Sequence, residues 1–370
     1  MFDSLIGQEV AKKLLTGALA EDRLAQSLLF YGPDGVGKEL AAAELARAIN
    51  CQGGEGGLFG DTPRPCGACD SCVQTAAYRH PDFIYLFPAP HPSSESDKRK
   101  TAEEIGEFLK DKAGRPFLQP RFDKPAAITI DDIRELQART ALRPYQGRRK
   151  VALIAGADAM TIEAANAFLK TLEEPSPTTH FILVTARPHR LLPTIVSRCQ
   201  KVRFSLLARE QVERALAERH GAAPPEAALL AAVSGGSLGR ALEMMDQDLL
   251  ADRDAAWEML GAAVRGDHGR MLAAIEAAAR EKGRPERVLG FAAAAVSDIL
   301  HRRLRGRAAV QDKGEETDSL ARLLSPEDLG RIAGNIERAR DALGHNVNPR
   351  LCLAYACAAG QEGEHDTDIG

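Results

Sequence analysis

At 370 residues the chain is too long for one ordinary hydrophobic core, and two or three domains are expected. Its 48 basic and 52 acidic side chains leave a net charge of −4, which excludes a strongly basic nucleic-acid coat but not a local basic face. No run approaches the roughly 18 uninterrupted apolar residues of a membrane span, and Met1-Phe2-Asp3-Ser4 lacks the basic-then-apolar order of a secretory signal. These features point to a cytoplasmic protein with no membrane partner, a compartment in which clustered cysteines indicate a metal more than disulfides.

In chain order, residues 5–20 predict an amphipathic helix, with Leu5, Val10, Leu14, Leu15 and Leu19 near helical spacing. The apolar run 27–31 ends in Gly-Pro and predicts a buried strand entering a turn, and 38–50 is rich in helix formers. A Gly- and Cys-rich module follows at 51–72, then a strand at 82–87. Residues 88–125 are Pro-rich and charged and are expected to be an exposed, partly disordered insertion with a short helix at 101–112. Helices at 130–142 and 161–173 alternate with strands at 150–155 and 180–185, the pattern of an open parallel sheet. After Phe204 the chain reads as helices to about residue 359, broken near Gly235-Gly236, Gly283 and Pro326, with a Gly- and acid-rich tail over 361–370 expected to be disordered. No internal repeat of fixed period is present.

Gly32-Pro-Asp-Gly35-Val-Gly37-Lys38 lies between the first strand and the second helix, the setting of a phosphate loop. Gly32, Gly35 and Gly37 let successive N–H groups turn inward at phosphate oxygens, the helix N-terminus adds partial positive charge, and Lys38 would reach the outer phosphates. The next residue normally gives a hydroxyl to Mg²⁺; here it is Glu39. A carboxylate ~4 Å from a phosphate charge at an effective dielectric of ~20 is repelled by roughly 4 kcal/mol, so ATP or ADP is expected to be disfavoured and the loop vestigial. The strand 151–154 should end in Asp-Glu in an active ATPase but continues Ala155-Gly156-Ala157-Asp158. Asp158 is expected to face solvent or cap the next helix. Without metal-holding and water-polarising carboxylates, phosphoryl transfer has no machinery.

Cys51, Cys66, Cys69 and Cys72 form C-x₁₄-C-x₂-C-x₂-C. Four thiolates at this spacing suit one tetrahedral Zn²⁺ with no open position, hence a structural site. An iron–sulfur centre is the rival, disfavoured because the C-x₃-C-P continuation is missing. Cys352 and Cys357 lie in an apolar helix and are expected in a core. Arg143, Arg148, Arg149 and Lys150 form one basic cluster, Arg187, His189 and Arg190 a second, and Arg302, Arg303, Arg305 and Arg307 a row on one helical tract. Each suits DNA phosphates or, more often, a solvated or subunit-facing surface. His80, before Pro81, reads as a loop residue rather than a ligand.

Taken together, Gly32–Lys38, the stretch Asn166-Ala-Phe-Leu-Lys-Thr-Leu-Glu-Glu-Pro175 and the triplet Ser197-Arg198-Cys199 after Leu191-Leu-Pro-Thr-Ile-Val196 resemble the AAA+ clamp-loader family of bacterial DNA polymerase III. The resemblance is strong over about 1–245 and weaker beyond, where Asn348-Pro-Arg-Leu351 is similar to the family's collar. It implies an AAA+ α/β domain at 1–206 carrying the zinc module and the 88–125 insertion, a helical lid at 207–250 and a helical collar at 251–360. It also implies that Arg198 is an arginine finger presented in trans to ATP on an adjacent subunit, and that Arg240 and Thr185 stand at the family's two nucleotide-sensing positions. The implied partners are gamma/tau motor and delta subunits in a five-membered ring, with the sliding clamp and primer–template DNA reached through that complex. The family's motor subunits keep a Thr after the loop lysine and an Asp-Glu pair at the strand end. The departures at Glu39 and Ala155-Gly156 therefore imply a non-hydrolysing member. An ATP-hydrolysing motor and a stand-alone zinc-containing nucleic-acid-binding protein are the alternatives.

Overall fold

The computed structural model describes residues 1–53, 64–92, 94–122, 124–245, 249–281, 283–306, 313–345 and 347–358. The tail expected at 361–370 and part of the Cys-rich module lie outside these residues. The chain forms two compact units: Met1–Gln211 with Ser237–Arg240, and Val212–Gly236 with the chain from Ala241 onward.

The first unit contains α1 (Glu9–Ala20), β1 (Ser27–Tyr31), α2 (Lys38–Asn50), α3 (Asp70–Ala76), β2 (Phe83–Leu86), β3 (Ala89–Pro90), α4 (Glu95–Gly114), β4 (Ala126–Ala127), α5 (Ile130–Ala141), β5 (Lys150–Ile154), α6 (Ile162–Glu173), β6 (Thr179–Thr185), α7 (Pro193–Ser197) and β7 (Gln200–Arg203). Five strands pair in the order β2-β5-β6-β1-β7, all parallel, as the strand–helix alternation predicts. Their apolar runs are continuous because both faces are covered. Leu28, Phe30, Leu153 and Ile182 pack with Leu15, Leu45 and Ile49 on one face. On the other, Leu29, Ala152, Ile154 and Phe181 pack with Ile133, Leu136 and Phe168. This rigid sheet presents its carboxyl ends to one crevice, where ligands of open parallel sheets bind.

Two elements differ from expectation. Val10 is 79% exposed, while Ala11 and Leu15 are buried and Leu14 and Leu19 pack at the core's edge, so the stripe holds except at Val10. The 88–125 insertion is not loosely ordered: α4 runs for 20 residues, capped where the Ser94 hydroxyl accepts from the Asp97 N–H. Its polar composition hides one anchored edge, where Phe108 meets Phe87 at 5.0 Å and Lys112 is fully buried.

The second unit is helical. α8 (Arg209–His220) and α10 (Leu238–Met245) begin in the first unit, and α9 (Pro224–Val233), α11 (Leu249–Val264), α12 (His268–Ala278), α13 (Arg284–Arg305), α14 (Gly314–Leu323), α15 (Pro326–Gly344) and α16 (Pro349–Ala356) complete it. α13 is its central element, burying Val288, Phe291, Ala295 and Ile299 among α11, α14 and α15. Asp252, almost fully buried, accepts from Arg284 at 2.8 Å and Arg287 at 2.5 Å and ties α11 to α13. Arg302 grips Asp318 of α14, so part of the arginine row joins helices. Cys352 and Cys357 are buried, as their apolar setting predicts.

Candidate functional site

The phosphate loop has the expected shape. β1 ends at Tyr31, the chain turns at Gly32 and α2 begins at Lys38. Gly35 has φ +70°, and a Cβ there would fall 2.2 Å from the Ser237 hydroxyl, so only glycine fits. Ser237 donates to the Asp34 carbonyl at 2.8 Å and the Gly239 N–H to the Gly35 carbonyl at 2.9 Å. The short Ser237–Arg240 segment is thereby stitched to the loop, which places Arg240 beside it.

The Lys38 ammonium is folded back onto its own loop, donating to the carbonyls of Gly32 at 2.7 Å and Pro33 at 2.5 Å. Burial pulls its pKa below the ordinary lysine range, against the opposing pull of Asp34, Glu39 and Asp158.

Glu39 corrects the sequence reading. Its carboxylate is not a bare charge beside the phosphates. One oxygen accepts from the Tyr85 hydroxyl at 2.8 Å and pairs with the Lys112 ammonium at 2.8 Å; the other accepts from Gln119 at 3.1 Å. The Lys112 ammonium further donates to the carbonyls of Leu118 at 2.7 Å and Pro116 at 3.2 Å, and lies over the rings of Tyr85 and Phe108. Burial, then the nearby Glu39 charge, pushes the Tyr85 phenol well above its usual range, so it remains a donor.

Asp158 is a second correction. It neither faces solvent nor caps a helix: its side chain is 6% exposed and accepts from Thr185 at 2.6 Å and from Arg187 at 2.9 Å. The reason is topological, since β5 and β6 are paired and their ends meet. Asp158, Thr185 and Arg187 line a cavity of about 330 Å³ with Lys38, Glu39 and Phe117. Arg187 pairs with Asp158 at the cavity edge while remaining about half exposed beside His189 and Arg190.

Arg198 follows the short helix α7. Its guanidinium donates to Glu173 at 2.6 Å and to the Thr194 carbonyl at 3.1 Å while staying about one-third exposed. Of the other basic cluster, Arg143 and Arg148 are exposed, but Lys150 is buried, bonded to the Arg139 carbonyl. The turn they share is held by Asp82, whose oxygens accept from the N–H groups of Tyr145, Gln146 and Gly147 at 2.7, 2.8 and 2.7 Å. Burial alone would raise the Asp82 carboxyl, but these three donors outweigh it and hold it below the usual range. His80 is a buried loop residue whose ring accepts from the Asp82 N–H.

The sulfurs of Cys51, Cys66, Cys69 and Cys72 all lie within 4.8 Å of one another. Cys51 and Cys69 are 4.0 Å apart, as are Cys66 and Cys72. A tetrahedron with arms of ~2.3 Å has edges of about 3.8 Å, so the donor set fits one metal ion. Backbone N–H groups of Gln52, Cys66 and Cys69 point at these sulfurs. Burial opposes ionisation of Cys69, but the N–H groups of Gln52 and Cys72 and the neighbouring thiols bring it down to about 6, whereas burial pushes Cys72 up to about 12.

Sequence reasoning missed Lys112, Tyr85 and Gln119, which lie far along the chain from Glu39 and carry no local motif. It also passed over Glu173, although this residue stands inside the quoted stretch 166–175.

The family model described as "DNA polymerase III, delta subunit" matches residues 7–208. The chain belongs to that family. Similar proteins include the DNA polymerase III subunit delta' of Pseudomonas aeruginosa, 35% identical over 222 residues, 58% of this chain and 53% of that one. The delta' subunit of Bacillus subtilis is 33% identical over 243 residues, 66% of this chain and 60% of that one. The DNA polymerase III subunit tau of Salmonella typhimurium is 29% identical over 356 residues, covering 94% of this chain and 48% of tau. The chain therefore spans about half the length of the tau relatives it matches. The parallel sheet and phosphate loop fit that family, and the similar proteins include both delta' and tau subunits.

Proposed function

We propose that this chain is a clamp-loader subunit of the DNA polymerase III holoenzyme that hydrolyses no ATP of its own and presents Arg198 to nucleotide held by a neighbouring gamma/tau-type subunit. The observation that carries this reading is the state of position 39. Where a phosphate loop offers a hydroxyl to Mg²⁺, this chain has a carboxylate whose oxygens are already engaged by Tyr85, Gln119 and Lys112. Asp158, the first carboxylate after β5, is likewise taken by Thr185 and Arg187.

Arg198 is differently placed. A planar, always-charged guanidinium suits a phosphoryl group that gains charge as it transfers. Its exchangeable partner is one exposed carboxylate, Glu173, which a phosphate of higher charge would displace. In this reading the lid spans 207–250 and the collar 251–360. The collar joins the chain to gamma/tau and delta subunits in a five-membered cytoplasmic ring acting on the sliding clamp and primed DNA. No described helix is long and apolar enough to cross a membrane. The four cysteines hold Zn²⁺, which braces the module without an open position for catalysis.

The test is reconstitution with motor and delta subunits. Arg198→Ala is expected to slow clamp- and DNA-stimulated hydrolysis about 10³-fold while the complex stays assembled; unchanged turnover in an intact ring would sink the role. A second reading, an ATP-hydrolysing motor, is favoured by the tau match, which covers most of this chain. MgATP turnover by the isolated protein, abolished in Lys38→Ala, would establish it instead.

A further inference from the structure

The contact between α4 and the phosphate loop has a chemistry of its own. Lys112, in the last turn of α4, is 0% exposed and faces the carboxylate of the residue that follows the loop lysine. After α4 the chain turns through Pro116 and Phe117 to Gln119, and all three line the loop cavity. The Phe117 ring stands 3.8 Å from where a Cβ on Gly37 would lie. The insertion is therefore one wall of the site, anchored by an ion pair, two carbonyls and two rings.

We infer that Lys112 serves as a built-in counter-cation at Glu39, in the role a divalent metal plays at an active phosphate loop, and that α4 thereby closes this loop to Mg²⁺-bound nucleotide. This rests on the reading that the chain lacks its own hydrolysis and names the residues responsible. Two observations carry it. The ammonium's donors are spent on Glu39, Pro116 and Leu118, so it cannot turn to a phosphate without unseating α4. A dication brought beside Glu39 would meet a buried positive charge and a carboxylate whose two oxygens already take three donors. The phosphate cradle itself is not filled, because a cavity of about 330 Å³ remains against Lys38 and Asp158.

The experiment compares the full chain with Glu39→Thr/Lys112→Met, which removes both charges, restores a hydroxyl, and puts a flexible thioether into the slot between Tyr85 and Phe108. MgADP binding is read by calorimetry, with and without EDTA, on protein shown to be folded by circular dichroism. The double variant should bind MgADP about tenfold or more tightly than the parent, with the gain lost in EDTA. A folded double variant that binds no better than the parent overturns the inference. If the double variant does not fold, Glu39→Gln decides. This near-isosteric change keeps an acceptor oxygen toward Tyr85 and Lys112, requires the Gln119 amide to turn its oxygen to the new NH2, and discharges the pair, and should speed amide exchange across 108–119 relative to the sheet; unchanged exchange there overturns the proposal. MgATP turnover by the parent would sink the broader reading. An inert parent with an unresponsive double variant sinks only the role of Lys112.

Discussion

The phosphate loop and the α7 corner both carry strong cations, and they treat them oppositely. At the loop, Lys38 is spent on the carbonyls of Gly32 and Pro33, and Lys112 on Glu39 and two more carbonyls. At the corner, Arg198 is about one-third exposed and held by the Thr194 carbonyl and one carboxylate, Glu173, that is itself about half exposed. A buried charge satisfied on every side is part of the fold and can be released only by breaking the fold. A surface charge with one exchangeable partner is available to a ligand. The loop thus holds its cations inside the fold, while the α7 corner leaves Arg198 partly in solvent.

Graded substitutions test that contrast, beginning where the effect is largest. Lys112→Met alone strands Glu39 beside Tyr85 and should cost about 3–5 kcal/mol in urea unfolding, with much of that recovered when Glu39 is also replaced. A loss below ~1 kcal/mol would show that the loop pair is no more integral than a surface bridge. Asp82→Asn extends the test to another interior charge and should cost about 1–3 kcal/mol at neutral pH. Its sign with pH is fixed. The folded carboxyl titrates below its unfolded value of about 3.9, so its contribution is present above that value and is lost as pH falls through the folded one. The stability gap between parent and variant should therefore close in acid, and a gap unchanged at pH 3 would contradict the assignment. The smallest change is expected from Glu173→Gln, less than about 1 kcal/mol because the pair is exposed. A loss comparable to Lys112→Met would erase the distinction between the two regions.

Much of the site was legible beforehand because it depends on residues close in sequence. Gly32, Gly35, Gly37 and Lys38 announce the loop, and three of the four cysteines fall within seven residues, 66–72. The strands of the sheet read clearly because burial on both faces demands unbroken apolar runs. The insertion did not: α4 is charged around most of its surface, and a helix that packs through two or three side chains leaves almost no periodic signal. Asp158 was misplaced for a related reason. Its partners Thr185 and Arg187 are brought to it by pairing of β5 with β6, which no local pattern records.

The sequence by itself determined the parallel α/β scaffold, the bent loop, the metal-ready cysteines and the missing Asp-Glu pair. Each is written in short-range spacing or in the presence of a residue type. Only the tertiary structure decided what Glu39 and Asp158 do, because a carboxylate's behaviour depends on the cations and donors within a few ångströms of it. Lys112, Gln119 and Arg187 reach those positions only through the fold.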